Sequence, residues 1–305
     1  MIDCHCDALW KIWEKQYDFY NHPLLDVNYC KWMKSDVNVQ CFAIFIPATV
    51  PVESKFAVAI QMVDIFFEQI IKPYQNIKWI QTKTDIENLK DNEKGAMLTL
   101  EGLDCIGNDL FKLRILIQLG VRMIGLSWNN ANLMVDGIKE NRGAGLTNLG
   151  KEVIKLANKH HIWIDLAHCS TNGFEEAIDL VDYPIVSHAN ARQICNNIRN
   201  LTNEQIKRII YKKGLIGITF VKEFVIDKET ATIDDLIAHI QHLINLGAMN
   251  NIVIGSDFDG ADYFVQDLTS IHHISNLKKK LNQHYPENMT KKIYSQNFLE
   301  KFPSS

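Results

Sequence analysis

Eight short apolar runs, each followed by enough chain for a helix, constrain the fold of this 305-residue sequence more than any other feature. They lie at Ile2–Cys6, Val39–Ile46, Ala96–Leu100, Val121–Leu126, Trp163–Leu166, Pro184–Ser187, Leu215–Thr219 and Ile252–Ile254. Strand-like runs that alternate with helical stretches build parallel sheets, because a crossover element must return the chain before the next strand can start in the same direction. Eight such units close a barrel. The expected fold class is therefore α/β, a (β/α)8 TIM-type barrel forming a single domain over residues 1–305. The connecting stretches agree. Phe56–Ile71 carries apolar residues at helical spacing, Leu149–Lys159 follows the cap residue Asn148, Asn203–Tyr211 follows Thr202, and Ile233–Leu246 ends before Gly247. Asn288–Phe302 reads as a final helix closing the bottom or side. One further β-like run, Ile77–Ile80, exceeds the barrel count and is placed as a peripheral strand.

In such a barrel the carboxyl ends of all strands converge on one mouth, so residues distant in sequence meet there. Asp3, His5 and Asp7 alternate along the first run, and the period of two in a strand places them on one face. Glu101 follows Ala96–Leu100, His168 comes shortly after Trp163–Leu166, His188 directly follows Pro184–Ser187, and Asp257 lies just beyond Ile252–Ile254. Any one of these reads as an ordinary polar residue. Their recurrence at equivalent strand ends describes a site, and imidazole with carboxylate suits a borderline cation such as zinc. His239 and His242, one helical turn apart, have no third ligand beside them and read as a solvated helix face, as do His160-His161 and His272-His273 at the surface.

Charge narrows the partner. The balance of 32 basic and 36 acidic residues gives −4 without a basic run, which argues against nucleic acid and anionic membranes and for a small molecule. No apolar stretch approaches the roughly 20 residues that span a bilayer, and no basic-then-apolar leader precedes Ile2. Seven cysteines scattered without C-x-x-C spacing read as reduced thiols, so the expected location is the cytoplasm.

The motifs together resemble the membrane or renal dipeptidase family, peptidase family M19, binuclear zinc enzymes of the metallo-dependent hydrolase type. The resemblance runs through Asp3-Cys-His5-Cys-Asp7, Thr99-Leu-Glu101-Gly102, Leu119-Gly-Val-Arg122, Gly143-Ala-Gly-Leu-Thr147, Ile164-Asp165-Leu166-Ala167-His168, Ser187-His188, Arg199-Asn200, Gly255-Ser-Asp257-Phe-Asp259-Gly260 and Asn297-Phe-Leu299. It implies two zinc ions per chain, with His5 and Asp7 on one, His168 and His188 on the other, and Glu101 bridging both. It also implies a metal-bridging hydroxide as nucleophile, hydrolysis of free dipeptides with tolerance of a D-residue at the C-terminal position, side activity on β-lactams, and a homodimer. The barrel hydrolases of the phosphotriesterase and dihydroorotase type differ, since they look like His-x-His after the first strand and often bridge with a carboxylated lysine.

By the same resemblance Asp257 is the acid/base carboxylate, Asp259 a turn residue, and Arg199 the group that grips the C-terminal carboxylate of the substrate, with Arg192 as its competitor. A guanidinium fork suits that task. One position departs from the family. Trp128 in Leu126-Ser127-Trp128-Asn129-Asn130 stands where the best-studied members carry a substrate-contacting histidine, and an indole N–H cannot supply positive charge to a developing oxyanion. Trp128 and Asn129 are the candidate substrate contacts there. Asp165 is a candidate partner for a metal-bound histidine. Two rival readings accompany the dipeptidase: a barrel amidohydrolase acting on N-acyl amino acids or another amide, and a non-catalytic metal-binding protein.

Overall fold

A computed structural model describes residues 1–303. Nine strands run in chain order: β1 Ile2–Asp3, β2 Val39–Phe45, β3 Ile77–Trp79, β4 Lys94–Glu101, β5 Val121–Gly125, β6 Trp163–Asp165, β7 Pro184–Val186, β8 Leu215–Ile218 and β9 Ile252–Ile254. Their order is β2-β1-β9-β8-β7-β6-β5-β4-β3, and a further β2–β4 pairing closes the ring. That closing ladder is parallel from Val39↔Gly95 to Phe45↔Glu101. The expected eight-stranded barrel is present, and β3 is the peripheral ninth. It pairs with the start of β4, Ile77↔Lys94 to Trp79↔Ala96, on the edge that β5 occupies only from Leu98 onward.

The largest departure from the expected strands is β1. It stops at Asp3, where the Asp3 carboxylate accepts hydrogen bonds from Ser256 N and Oγ and the chain turns; beyond the turn Cys6 makes an isolated bridge to Phe258, donates to Cys41 O and accepts from Ala43 N. Two expectations about the helices also change. The helix Asn148–Lys159 is capped by Thr147, whose Oγ1 accepts from Gly150 N, and Asn148 is its first residue. His239 faces the core, not solvent: it is fully buried, with Nδ1 accepting from Ala191 N and Nε2 donating to Val225 O. The Thr202 cap is confirmed as a reciprocal pair with Gln205.

Both long helical predictions contain a wider turn. Val52–Ile65 continues as a π-helical segment Phe66–Ile71, and Glu287–Lys291 continues through a π-helical Lys292–Gln296 into Asn297–Glu300. This last segment closes the barrel bottom. Phe298 and Phe302 each pack on Trp163 at 4.7 Å between ring centroids, within a layer that includes Cys4, Cys41, Met97, Met123, Ile185, Leu215 and Val253. Emptying the Phe298 position costs about 3–5 kcal/mol by the cavity left behind. At the opposite end, Gly217 and Gly255 let strands β7, β8 and β9 crowd together, since a Cβ on either would lie 1.7 Å from Ser187 O.

Candidate metal centre

Every expected ligand reaches the mouth. His5 and Asp7 arrive after β1, Glu101 is the last residue of β4, and His168, His188 and Asp257 follow β6, β7 and β9. Asp3 does not join them, because its carboxylate is engaged by Ser256. His168 and Asp257 have φ of 64° and 67°, in the left-handed region that non-glycine residues avoid. Such backbone persists where its surroundings enforce it. Here the carbonyl of His168 accepts from Ile138 N at 2.7 Å, and Asp257 N donates to His5 O at 3.2 Å.

Two groups of side chains adjoin at the mouth, where the rings of His5 and His188 stack at 4.0 Å between centroids. On one side His5 Nε2 lies 3.4 Å from Asp7 Oδ2, 3.6 Å from Asp257 Oδ1 and 3.7 Å from Glu101 Oε2. On the other, Glu101 Oε1 lies 2.9 Å from His168 Nε2 and 3.6 Å from His188 Nε2. The two oxygens of Glu101 thus serve the two groups separately. Gly260 is required beside them, since a Cβ there would come within 2.2 Å of Asp7 Oδ2 and 2.4 Å of Asp257 Oδ1.

The hydrogen bonds settle the imidazole tautomers. His168 Nδ1 is 2.9 Å from Asn129 Oδ1, a carbonyl oxygen that can only accept, so Nδ1 carries the proton. His188 Nδ1 is 2.7 Å from Ser187 Oγ, whose own proton goes to Asp165 Oδ2 at 2.5 Å, so His188 also donates from Nδ1. Both Nε2 atoms are then bare lone pairs, and they face each other at 2.9 Å. Burial holds both rings well below the usual histidine range, which keeps them neutral. Two facing lone pairs repel unless a cation shares them.

The carboxylates make the same demand. Burial, reinforced by the charge of Asp7, pushes Glu101 well above the carboxylate range, and burial together with Asp7 raises Asp257 to about 7. Burial lowers His5, but the negative charges of Asp7, Glu101 and Asp257 override it and bring it to about 10. His5 Nε2 and Asp7 Oδ1 have no hydrogen-bond partner although both are buried. Ligand atoms of His5, Glu101 and His188, and of His5, Asp7 and Asp257, lie within 4.8 Å of one another. The donor set fits divalent cations.

Beside this cluster opens a cavity of about 360 Å³ lined by Asp7, Trp10, Phe45, Glu101, Trp128 and Asp257 among others. Trp10 meets Phe45 edge-on at 5.5 Å, and Phe45 meets Trp128 at 5.1 Å, giving the mouth one aromatic wall. Trp128 lies where expected, 6.1 Å from the His168 ring. Asn129 also lines the cavity, but its carbonyl oxygen is committed to His168, so its first role is to orient that ring. Trp10 and Phe45 were not among the expected site residues. The signal for Phe45 lay in the register, since it pairs with Glu101 at the end of its strand.

Arg199 is 6% exposed, and Nη2 donates to His188 O at 3.3 Å. Its Nε has no partner. Arg192, by contrast, spends its donors on Asn200 O and Ile198 O and braces the loop. Asp165 accepts from Ala167 N, Ser187 N and Ser187 Oγ, so it supports His188 through Ser187 and does not touch His168. Asp259 lies in the expected turn, with φ of 67°, and is also fully buried, anchoring a distant segment by accepting from Asp26 N and Val27 N.

Comparison with known proteins adds sequence and fold relationships. The family described as Membrane dipeptidase (Peptidase family M19) matches residues 1–303. Dipeptidase tcpJ of Claviceps purpurea is 27% identical over 223 residues, which make up 71% of this chain and 52% of that protein. An uncharacterized dipeptidase of Schizosaccharomyces pombe is 28% identical over 268 residues, 80% of this chain and 63% of that protein. The chain thus spans about half to two thirds of the length of these curated relatives. Among solved structures, a metallo peptidase from Rhodobacter sphaeroides liganded with a phosphinate mimic of the dipeptide L-Ala-D-Ala superposes with a TM-score of 0.92 at 21% identity, covering 99% of this chain and 97% of that one. That likeness establishes the shared barrel fold.

Proposed function

This chain belongs to the membrane dipeptidase family, peptidase family M19, and we propose from that premise that it is a zinc-dependent dipeptidase that holds two ions and hydrolyses the single peptide bond of a free dipeptide. The observation that carries this reading is the pair of bare Nε2 atoms of His168 and His188 beside the His5–Asp7 group, with one oxygen of Glu101 directed to each side. His5 and Asp7 would hold one ion, His168 and His188 the other, and Glu101 both. When bound, two such cations acidify a water and polarise the scissile carbonyl.

The remaining steps fall to the chain's own side chains. Asp257, whose carboxylate sits at the mouth 3.6 Å from His5 Nε2, accepts a proton from the attacking water and returns it to the leaving amine. Arg199, with a free Nε donor, holds the substrate's terminal carboxylate and so fixes the distance from that charge to the bond being cut. The wall of Trp10, Phe45 and Trp128 keeps bulk water from the reacting groups. The phosphinate ligand of the Rhodobacter sphaeroides protein mimics L-Ala-D-Ala, which supports tolerance of a D-residue at the second position here. All seven cysteines are free thiols, in keeping with residence in the cytoplasm, and a homodimer completes the proposal. No helix among the described residues is long and apolar enough to cross a membrane.

The deciding experiment is a steady-state screen of L,L-, L,D- and D,D-dipeptides against N-acyl amino acids, with zinc measured on the same sample. Turnover of dipeptides with two zinc ions per chain is expected. Turnover of N-acyl amino acids alone would replace the dipeptidase with an amidohydrolase, and no turnover by the zinc-loaded protein would leave a metal-binding protein.

A further inference from the structure

Two pairs of residues at the barrel mouth repeat one arrangement atom for atom. Asp165 ends β6 and Ser187 follows the neighbouring β7, while Asp3 ends β1 and Ser256 follows the neighbouring β9. In the first pair Asp165 Oδ1 accepts from Ser187 N at 2.9 Å, Oδ2 accepts from Ser187 Oγ at 2.5 Å, and Oδ1 also accepts from Ala167 N at 3.0 Å. In the second Asp3 Oδ1 accepts from Ser256 N at 2.9 Å, Oδ2 accepts from Ser256 Oγ at 2.6 Å, and Oδ1 also accepts from His5 N at 3.4 Å. All four residues are buried. Each aspartate therefore joins two adjacent strand ends while bending its own chain two residues on.

What the strand ends carry is the point. Past Asp165 and Ser187 come His168 and His188, whose Nε2 atoms meet at 2.9 Å. Past Asp3 and Ser256 come His5 and Asp257, which meet at 3.6 Å. The first clamp reaches a ligand directly, since Ser187 Oγ accepts from His188 Nδ1 at 2.7 Å and so fixes which nitrogen of that ring is bare. The second acts through the backbone. Ser256 Oγ accepts from Phe258 N at 3.2 Å, and Asp257 N donates to His5 O at 3.2 Å, which locks the turn carrying Asp257 against the one carrying His5.

We propose that these two aspartate–serine clamps are positioning devices that govern the two halves of the metal centre independently. Asp165–Ser187 sets affinity at the His168/His188 position, and Asp3–Ser256 sets it at the His5/Asp7 position. The inference rests on the two-ion reading above. Partners behind metal ligands commonly change affinity by about 10–100-fold when removed, and here each hydroxyl can be removed without replacing a proposed ligand.

The test is retention of zinc by the 305-residue chain against a graded series of chelators. The wild type should release two ions. Ser187→Ala should weaken one of them at least tenfold with the other within twofold, Ser256→Ala should weaken the other one, and the double variant should weaken both. Ser187→Thr, which keeps the hydroxyl, should restore the wild-type profile, which a mere packing defect would not. A second measurement needs no variant: nitrogen-15 NMR of the metal-free protein should show His188 protonated at Nδ1. Protonation at Nε2 instead overturns the proposal, as does weakening of both ions equally by either single variant. A wild type that binds one ion or none overturns the two-ion reading and this inference with it, whereas two ions with unselective variants overturns this inference alone.

Discussion

The guanidinium of Arg199 lies over the ring of Phe224, 5.4 Å from its centroid, while its Nη2 donates to the carbonyl of His188. One contact ties it to the segment after β8 and the other to His188, so the group that would hold a substrate carboxylate is fixed relative to the proposed metal centre. The aromatic face adds about 0.5–2 kcal/mol to keeping the charge there.

Amidating the substrate should therefore be costly. Amidated dipeptides are expected to be cut at least tenfold less efficiently than free ones in kcat/KM, about 1.4 kcal/mol of lost transition-state binding. Arg199→Lys should recover only part of the activity lost in Arg199→Ala, because an ammonium cannot reproduce the fork. Equal kcat/KM on amidated and free dipeptides would remove Arg199 from this role.

Asp257→Asn should leave zinc content near the wild-type level and lower kcat by about 10²–10⁴, the range for loss of a positioned acid/base. His5 Nε2 is only 3.6 Å from Asp257 Oδ1, so zinc analysis of the same sample is decisive. Loss of an ion would make this carboxylate a ligand.

Glu101→Gln should lose both ions and all activity, because one neutral amide oxygen cannot replace two anionic oxygens that face opposite groups. Metal analysis after zinc reconstitution reads the result directly, and a variant that still retained two ions would show that Glu101 bridges nothing.

Trp128→His carries a gain-of-function expectation. A cationic or donating imidazole beside His168 should raise kcat on a dipeptide by about three- to tenfold, at most about 1.4 kcal/mol. The smaller ring leaves a void against Phe45, at a stability cost of about 1–3 kcal/mol. A lower kcat at unchanged thermal stability would show that the indole already serves the substrate.

Gly255→Ala should destabilise the fold by about 1–3 kcal/mol or more, since its Cβ would fall 1.7 Å from the Ser187 carbonyl and the strands cannot separate without opening the ring. Thermal denaturation measures it; an unchanged midpoint would mean that β7 can shift freely.

Much of the architecture was legible because a barrel places function at strand ends and its strands are nearly continuous apolar runs. His5, Asp7, Glu101, His168 and His188 could be located by counting from those runs, and all five converge. What escaped depends on partners far along the chain. At the end of β1 Asp3 is held by Ser256, 253 residues away in the chain, and nothing near Asp3 announces it. The burial of His239 rests on Ala191 and Val225, which a helical periodicity does not contain. Thr147 and Asn148 are both good caps, and the choice between them is made by where Gly150 places its N–H.

The packing of Phe298 and Phe302 against Trp163 has a kinetic consequence. With the lower end of the barrel stoppered by aromatic rings, the cavity at the mouth is the route to the proposed metal centre. In the proposed dipeptidase both product amino acids would leave through the opening by which the dipeptide enters, before the next molecule could bind. Free amino acids should accordingly compete with a dipeptide substrate, and release through that opening would then set the pace of turnover.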